Sequence, residues 1–488
     1  MRNLDCLFIN PTTHIKMPNS RTELVASVVT PMGTIALADL LDREGYGTRI
    51  VNTGVEQMCN RSFTVDSLFN KYDASVVGID LHWFLHAYDA IRIANIVKQH
   101  SNAFVVLGGF TASFFAEEIL SQFSNVDAVI IGDAELPLLE LLRHKPSAEF
   151  EEVPNLMYRD GESLKKSKRR YVADANDLDQ LTFSNLNLLE NYHEYNKLTS
   201  FQSGDLSEIH LKVPIKSHGW TCLGRGCSVN CSYCGGGKNA FRILTGRDTP
   251  IFRSKEKVVE TLARFEEMKI SCTYMDFDPY PTERKYYYDL FAMIRKEKID
   301  ISSQFLIWAL SEKDFLRDFR RTFNRLYSTI TVSPESGSEQ IRKLNKGFYY
   351  SNEELFRWLN KAKNETIPIE VFFTSGLSWE TEKHFEETIQ LAKKIVEEYP
   401  VVTLRCSSIL LEPCCPRFLS PEEYGVSLKF RRFIDFYDAL KQCAEGLSVY
   451  PLGYETNNLS ESKINKLSQR FDDAIEPIVR RQERDIMP

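Results

Sequence analysis

Residues 1–145 alternate between short apolar or β-branched runs and longer amphipathic stretches. This rhythm is typical of a parallel sheet whose strands are joined by crossover helices. It predicts strands at 5–9, 47–51, 75–79, 103–107 and 126–131. Five such units indicate a doubly wound, flavodoxin-like α/β sheet, in which a ligand binds at the loops that follow the strands.

A second alternation runs through residues 206–420, with strands predicted near 272–278, 300–308, 328–336 and 368–376. It lacks the glycine fingerprint of a dinucleotide-binding fold, so we expect a full or partial (β/α) barrel with its chemistry at the strand carboxyl ends. Residues 146–205 are polar and aperiodic and predict an irregular linker. Residues 421–488 predict a small, mainly helical C-terminal region.

The overall composition is that of an ordinary globular protein, with 43% hydrophobic and 26% charged residues in 488. A net charge of −7 gives no general attraction for phosphate backbones, so nucleic acid is not an expected partner. No apolar run reaches the ~18 residues of a membrane helix, and the N-terminus carries no signal-peptide pattern. We therefore expect a cytoplasmic protein with no membrane partner.

Three of the eleven cysteines, Cys227, Cys231 and Cys234, form a C-x3-C-x2-C motif in the loop GWTCLGRGCSVNCSYCGGG. Clustered cysteines in a chain without an export signal favour a metal site over disulfides. Three thiolates can ligate three irons of a [4Fe-4S] cluster and leave the fourth iron open. Cys222 keeps two alternatives open, a four-cysteine zinc site and a closed electron-transfer cluster.

With Tyr233 between the last two cysteines, the motif resembles the signature of the radical S-adenosylmethionine (SAM) enzymes. The resemblance implies that the open iron binds the amino and carboxylate groups of SAM. Reductive cleavage of SAM would then give methionine and a 5′-deoxyadenosyl radical, which abstracts a substrate hydrogen. It also implies that Tyr233 flanks the adenine, that Gly235 and Gly236 contact SAM, and that a reductant such as flavodoxin or ferredoxin is a partner.

Further segments resemble SAM-binding segments of the same family, each at a predicted strand end. Their candidate residues are Asp276 and Asp278 in YMDFDP, Glu335, Ser336 and Gly337 in SPESGS, and Gly376 and Leu377 in SGLSWET. An Asx turn is the alternative for the two aspartates, and a helix cap is the alternative for the serine. In the last segment a serine replaces the family's proline, which leaves the shape of the turn in doubt.

Adjacent cysteines, Cys414 and Cys415, stand in LLEPCCPRF, which resembles the final strand and exit segment of cobalamin-dependent members. Two neighbouring thiols more often pack as small apolar groups than act together on one metal. We expect packing here, with a hydrogen-donor role as the alternative.

A flavodoxin-like domain in front of a radical SAM domain resembles the architecture that binds cobalamin. Glycines at a strand end allow a bulky ligand to approach the backbone. The candidate cobalamin contacts are Thr12, His82, Trp83, Gly108, Gly109, Thr111, Ser113, Gly132 and Glu135. A tight turn with a helix-terminal acid is the alternative for Gly132 and Glu135, and a packing role is the alternative for His82 and Trp83.

No D-x-H-x-x-G motif follows the first strand, so we expect cobalamin to bind base-off without a histidine beneath cobalt. The resemblance then implies a C-methyltransferase that methylates an unactivated carbon of a small metabolite or natural-product intermediate, by way of the 5′-deoxyadenosyl radical and methylcobalamin. A non-methylating rearrangement, ring contraction or cyclisation is one alternative. A non-catalytic cobalamin and iron-sulfur sensor is the other.

Overall fold

The computed structural model describes residues 2–16, 23–26, 30–195, 218–275, 277, 283–323, 328–399 and 401–486. The chain forms two compact units. The first comprises Met1–Thr199, Ala240–Asp248 and Phe430–Tyr450; the second comprises Ser200–Asn239, Thr249–Lys429 and Pro451–Pro488. Segments late in the sequence thus complete the first unit. The division into four consecutive segments stays a prediction.

Strands and short helices alternate along residues 2–195. The strands are β1 (Arg2–Asn10), β2 (Thr13–Lys16), β3 (Glu23–Ala26), β4 (Thr48–Asn52), β5 (Tyr72–Asp80), β6 (Phe104–Gly108), β7 (Ala128–Ile130), β8 (Leu156–Asp160) and β9 (Ser163–Lys166). The helices are α1 (Met32–Arg43), α2 (Thr53–Cys59), α3 (Leu68–Lys71), α4 (Ala87–His100), α5 (Phe110–Phe114), α6 (Ala116–Gln122), α7 (Glu135–His144) and α8 (Ala175–Asp179).

The same alternation continues through residues 218–486. The strands are β10 (His218–Trp220), β11 (Gly224–Arg225), β12 (Ile251–Phe252), β13 (Cys272–Met275), β14 (Ser302–Ile307), β15 (Thr329–Glu335), β16 (Ile369–Ser375), β17 (Val401–Ser408), β18 (Val426–Leu428) and β19 (Tyr454–Thr456). The helices are α9 (Lys238–Thr245), α10 (Lys255–Glu267), α11 (Arg284–Glu297), α12 (Lys313–Thr322), α13 (Glu339–Asn345), α14 (Asn352–Asn364), α15 (Glu382–Glu398), α16 (Pro416–Leu419), α17 (Phe433–Ala444) and α18 (Glu461–Ile486).

In the first unit, described strands form a sheet of order β4-β1-β5-β6-β7-β8-β9. The five predicted strands are its parallel part, from β4 to β7. In β1, residues 6 to 9 are all buried, as expected of a strand covered on both faces. The predicted flavodoxin-like sheet is confirmed.

The segment expected to be an irregular linker adds two antiparallel strands, β8 and β9, to this sheet. Strand β9 reads SLKK, and three of its four residues are exposed. An exposed, charged edge strand shows no apolar alternation. Lysines on such an edge discourage pairing with other chains. That exposure is why the sequence pattern gave no strand signal for β9.

In the second unit, described strands form a parallel sheet in chain order, β10-β13-β14-β15-β16-β17. The predicted partial barrel is confirmed. Phe305 packs outward against Phe315 of α12, with ring centroids 5.7 Å apart, and Phe373 packs outward against Phe471 of α18 at the same distance. Residues that alternate with these phenylalanines along each strand therefore face the inside of the barrel, its lumen.

The C-terminal region is mainly helical as expected, with helices α17 and α18, and it also contributes a short antiparallel pair of strands, β18 and β19. Helix α17 belongs to the first unit, where Phe433 and Phe436 pack on Phe115. Helix α18 belongs to the second unit. None of the helices described is both long enough and apolar enough to cross a bilayer.

Candidate active site

The three motif cysteines lie on the loop after β11, a short strand that follows β10, the first strand of the partial barrel, and each is unbridged and partly buried. Backbone N–H groups point at two of the sulfurs: Gly347 donates to Cys231 Sγ at 3.3 Å, and Gly236 donates to Cys234 Sγ at 3.4 Å. Burial raises the pKa of all three thiols. Donors aimed at sulfur favour the thiolate, which is the form that ligates a metal.

Asn345, the last residue of α13, ties this loop to the loop after β16. Its side chain is 1% exposed. Asn345 Oδ1 accepts from Ser232 Oγ at 2.5 Å and from the Ser378 N–H at 3.1 Å, and Nδ2 donates to the Ser378 carbonyl at 3.0 Å. The cysteine loop is therefore positioned by a residue 113 places further along the chain.

Glu335 and Tyr233, two predicted SAM contacts, lie together beside Cys231. Lys346 Nζ pairs with Glu335 Oε1 at 3.2 Å, with both side chains at least nine-tenths buried. Burial and the charge of Glu335 raise the pKa of Tyr233, whose hydroxyl is within hydrogen-bonding reach of that carboxylate. The Lys346 charge opposes the burial that raises the pKa of Cys231. A buried cation thus lies next to one cluster thiol.

Ser336 and Gly337 follow β15 and pack against helix α15. Ser336 is fully buried, and the Gly337 N–H donates to Thr388 Oγ1 at 2.9 Å. A Cβ at Gly337 would lie 2.3 Å from the Glu387 carbonyl oxygen, so only glycine allows this approach. The observed contacts of Ser336 and Gly337 are internal, and their role in binding SAM stays a prediction.

The loop after β16 carries Gly376 and Leu377 and is held from several sides. Gly376 has a φ of +87°, and its N–H donates to Glu380 Oε2 at 2.8 Å. The Gly376 carbonyl accepts from the Tyr454 hydroxyl at 2.8 Å and from the buried Arg417 at 3.1 Å. Leu377 is fully buried. The turn is therefore rigid even though serine replaces the family's proline.

Glu380 should make the enzyme less stable as the pH rises from about 4.5 to about 8. Burial raises the pKa of this carboxyl to about 8, against the opposing N–H groups of Gly376 and Leu377. Below the ordinary value of 4.5, the group is protonated in both states; above it, the unfolded chain ionises first and is favoured.

We expect Glu380→Gln to remove this part of the pH dependence. Urea unfolding of both proteins at about pH 5 and about pH 8 should give a larger loss of unfolding free energy in the wild type than in the variant. Equal losses would contradict the burial of an uncharged carboxyl at this position.

Gly235 lies against the chain after β17. Its N–H donates to Glu412 Oε2 at 2.5 Å, and a Cβ at Gly235 would lie 2.5 Å from the Pro413 carbonyl oxygen. Cys414 and Cys415 are buried in this segment, where burial raises their pKa to about 12 and about 11. Both thiols are then protonated near neutral pH, as packing side chains would be.

Two other predictions concern the surroundings of the cluster loop. Cys222 is buried, and its thiol lies 3.6 Å from the Gly224 carbonyl oxygen. Asp276 and Asp278 lie outside the described residues. Within the described ranges, no three His, Cys, Asp or Glu side chains are grouped to hold a single metal ion.

In the first unit, the hydrogen-bonding groups of Thr12 bond to other residues of the same chain. Thr12 Oγ1 donates to Asn52 Oδ1 at 2.9 Å and accepts from the Gly54 N–H at 3.1 Å. Its own N–H donates to Thr53 Oγ1 at 3.0 Å. This threonine joins the end of β1 to the start of α2, so its predicted contact with cobalamin has no support in these bonds.

The other cobalamin candidates lie at or just after the carboxyl ends of three neighbouring strands, β5, β6 and β7. Thr111 Oγ1 donates to the His82 carbonyl at 2.9 Å, Ser113 Oγ donates to the Gly109 carbonyl at 2.7 Å, and the Gly132 N–H donates to Ser113 Oγ at 3.0 Å. Parallel strands end at one edge of a sheet, where ligands bind in this fold. Trp83 follows β5, Gly108 is the last residue of β6, and Glu135 is the first residue of α7.

Comparison with known families decides the identity of both units. The family model described as the B12 binding domain matches residues 22–142, and the model of the Radical SAM superfamily matches residues 221–392. This chain combines a B12-binding domain with a radical SAM domain.

Alignments with similar proteins cover most of this chain. The uncharacterized methyltransferase PH0819 of Pyrococcus horikoshii is 23% identical over 418 residues, which cover 83% of this chain and 81% of that protein. The methyltransferase TsrM from Kitasatospora setae, solved with cobalamin and a [4Fe-4S] cluster, shares the fold with a TM-score of 0.67 at 12% identity, over 97% of this chain and 89% of that one. The cobalamin-dependent radical enzyme OxsB, solved with aqua-cobalamin and SAM, gives a TM-score of 0.64 at 14% identity, over 96% and 66%.

The cysteine loop of the radical SAM domain suits a [4Fe-4S] cluster. A cube takes one thiolate per iron, so its ligands need not converge on the point that a single metal ion would occupy. The loop supplies three thiols and two N–H donors to sulfur. Cys227, Cys231 and Cys234 would hold the cluster.

The B12-binding domain leaves one of its two strand-end glycines open. A Cβ at Gly108 would meet nothing within 4 Å, and the nearby Trp83 is 51% exposed. A Cβ at Gly109 would lie 2.5 Å from the Cα and the nitrogen of His82. The close approach at Gly109 is therefore to the chain's own backbone, and Gly108 is the glycine that remains for a ligand.

These adjacent glycines allow a matched test. Gly109→Ala should lower the unfolding free energy by about 2–4 kcal/mol, because φ is +106° and the added Cβ meets backbone. Gly108→Ala should change it by less than about 0.5 kcal/mol. If cobalamin lies over Gly108, the Gly108→Ala protein should bind cobalamin more weakly than the wild type in equilibrium dialysis, despite its unchanged stability. Unchanged affinity in Gly108→Ala would remove this residue from the cobalamin site.

Sequence reasoning missed four residues that shape the radical SAM site. Each of the four contacts a segment that is distant in the sequence. They are Asn345, Lys346, Gly347 and Arg417. The first three lie in LNKG, at the end of the segment SPESGSEQIRKLNKG that resembles the family's, and this position was the available signal for them. Arg417 lies in LLEPCCPRF, in which only the two cysteines were considered as candidates.

Proposed function

We propose that this radical SAM enzyme is a C-methyltransferase that methylates an unactivated carbon of a small metabolite or natural-product intermediate. One observation carries the proposal: a cysteine loop with three potential cluster ligands and a B12-binding domain occur in a single chain. The relatives named as methyltransferases support it. When bound, the cluster would supply the electron that cleaves SAM, and cobalamin would carry the methyl group.

The chain's own residues hold and shape the site. Gly347 and Gly236 donate to the cluster sulfurs and so favour their ionised form. Asn345 fixes the cysteine loop against the loop after β16. Buried Glu335, neutralised in part by Lys346, offers a carboxylate oxygen to a hydrogen-bond donor of SAM.

The proposal fixes the balance of the reaction. One substrate molecule R–H, two SAM and two electrons give R–CH3, S-adenosylhomocysteine, methionine and 5′-deoxyadenosine. The substrate hydrogen passes to the 5′-deoxyadenosyl carbon, and one SAM supplies the methyl group. Radical SAM enzymes need a reductant, and a flavodoxin or ferredoxin would supply the electrons.

The test is anaerobic turnover of the reconstituted enzyme with methyl-deuterated SAM and candidate substrates, followed by mass spectrometry. We expect a product heavier by one labelled methyl, with S-adenosylhomocysteine and 5′-deoxyadenosine formed in equal amounts. A product without label, formed together with 5′-deoxyadenosine, would replace methylation by a rearrangement or cyclisation. Absence of 5′-deoxyadenosine with every substrate would favour a sensor.

A further inference from the structure

Arg405 of β17 carries its charge into the lumen of the partial barrel. Phe373 on the neighbouring strand points outward, because it packs against Phe471 of α18. The register pairs Arg405 with Phe372, which precedes Phe373 and so points the other way. Arg405 shares this inward direction.

The register also sets the height of Arg405 in the barrel. Arg405 pairs with Phe372, which is one residue after Val371. Val371 lies level with Val332 on β15 and with Ile307, the last residue of β14. Arg405 therefore lies one residue beyond the level at which β14 ends. This is the carboxyl edge of the sheet, where enzymes built on such barrels bind their substrates.

The guanidinium of Arg405 makes no hydrogen bond and no ion pair with any residue in the described ranges. Among the described lumen residues, Glu370 interacts electrostatically with Arg405, but its carboxylate accepts its hydrogen bond from Thr331 Oγ1 at 2.7 Å. Burial raises the pKa of Glu370, which weakens it further as a partner. Arg405 is only partly exposed, and five N–H donors in such a place call for an acceptor.

The described inner face also offers apolar surface, one amide, and the hydroxyls of Thr374 and Ser407, which pair two residues beyond Arg405. Trp220 and Tyr274 stack with ring centroids 4.8 Å apart, and Gln304 is the next residue in the same register. Leu306 and Phe372 face the lumen on β14 and β16. The last five of these side chains are all partly exposed, so the face is accessible.

We propose that Arg405 binds a carboxylate of the substrate, which would then be a small monoanion with an apolar body. This inference rests on the proposed function, because it takes the lumen as the place of a small-molecule substrate. A single unpaired cation among the described lumen residues matches a ligand with one negative charge, whereas a phosphate dianion would require more than one cationic side chain. The carboxylate of SAM is the rival anion, but the family resemblance places that group on the open iron.

The test uses the anaerobic holoenzyme and a pair of probes of equal size, phenylacetate and phenylacetamide. By ligand-observed NMR, the wild type should bind phenylacetate at least about tenfold more tightly than phenylacetamide, as a charge-assisted bond predicts. Arg405→Gln should bind both probes equally, and Arg405→Lys should keep part of the preference. Arg264→Gln, on the exposed face of α10, should behave as the wild type.

Three results would overturn the proposal. The first is equal affinity of the wild type for the two probes. The second is a preference for phenyl phosphate over phenylacetate. The third is loss of SAM binding in Arg405→Gln with the cluster absorbance intact, which would assign Arg405 to the SAM carboxylate. None of these measurements needs methyl transfer, so an unlabelled product in the turnover assay would defeat the proposed function and leave this inference standing.

Discussion

Replacing Cys231 with alanine should abolish SAM cleavage and leave cobalamin bound. Cys231 is one of three loop thiols that would ligate the cluster, and it receives the Gly347 N–H at 3.3 Å. Two remaining thiolates cannot hold three irons, so the cluster would be lost during anaerobic reconstitution. The cobalamin candidates all lie in the first unit and keep their contacts.

The measurements are iron and sulfide content, the EPR signal of the reduced cluster, 5′-deoxyadenosine by mass spectrometry, and the cobalamin absorption spectrum. Cys59→Ser is the matched control, since Cys59 is exposed and belongs to the first unit. It should retain the cluster and SAM cleavage. A Cys231→Ala protein that still cleaves SAM would overturn the ligand assignment. Parallel loss of cobalamin would mean that the two sites depend on each other.

Asn345→Ala should lower the unfolding free energy by about 3 kcal/mol and loosen the cluster. The substitution leaves the Ser378 N–H and carbonyl and the Ser232 hydroxyl without their partner, inside the protein. Each buried polar group left unsatisfied costs about 1–3 kcal/mol, and neighbouring losses do not add fully. The loop that carries the cysteines would then be held less firmly.

Urea unfolding gives the stability, and the rate of iron release to a chelator reports on the loop. Asn364→Ala removes the same side chain from the exposed end of α14 and should change stability by less than about 0.5 kcal/mol. If Asn345→Ala releases iron at the wild-type rate, its hydrogen bonds would be structural only.

Most of the fold follows from patterns that are local in the sequence. Alternating apolar runs mark both sheets, and their order along the chain leaves few parallel arrangements. Strand β9 escapes this reasoning because an edge strand exposed on both sides has no apolar pattern to detect. The cysteine triad is likewise visible in the sequence, since its three ligands lie within eight consecutive residues.

The supporting residues of the site could not be predicted in the same way. Asn345 and Arg417 bond to backbone groups of Ser378 and Gly376, and backbone groups carry no sequence signal. At Gly109 the sequence pattern indicates a need for space, and the structure places the backbone of His82 there, which the pattern could not reveal. Such pairings exist only after distant segments have come together.

Helix α17 has a consequence for the way this chain is made. Its Phe436 and Phe433 cover Phe84, Phe115 and Phe123 of the first unit. A ribosome synthesises the roughly 300 residues between 145 and 450 in about 15–60 s, at 5–20 residues per second. During that time the flavodoxin-like sheet has already emerged with three aromatic rings uncovered, so nascent chains would be a natural target for chaperones. An N-terminal fragment that stops at residue 145 would keep these rings exposed permanently and should aggregate.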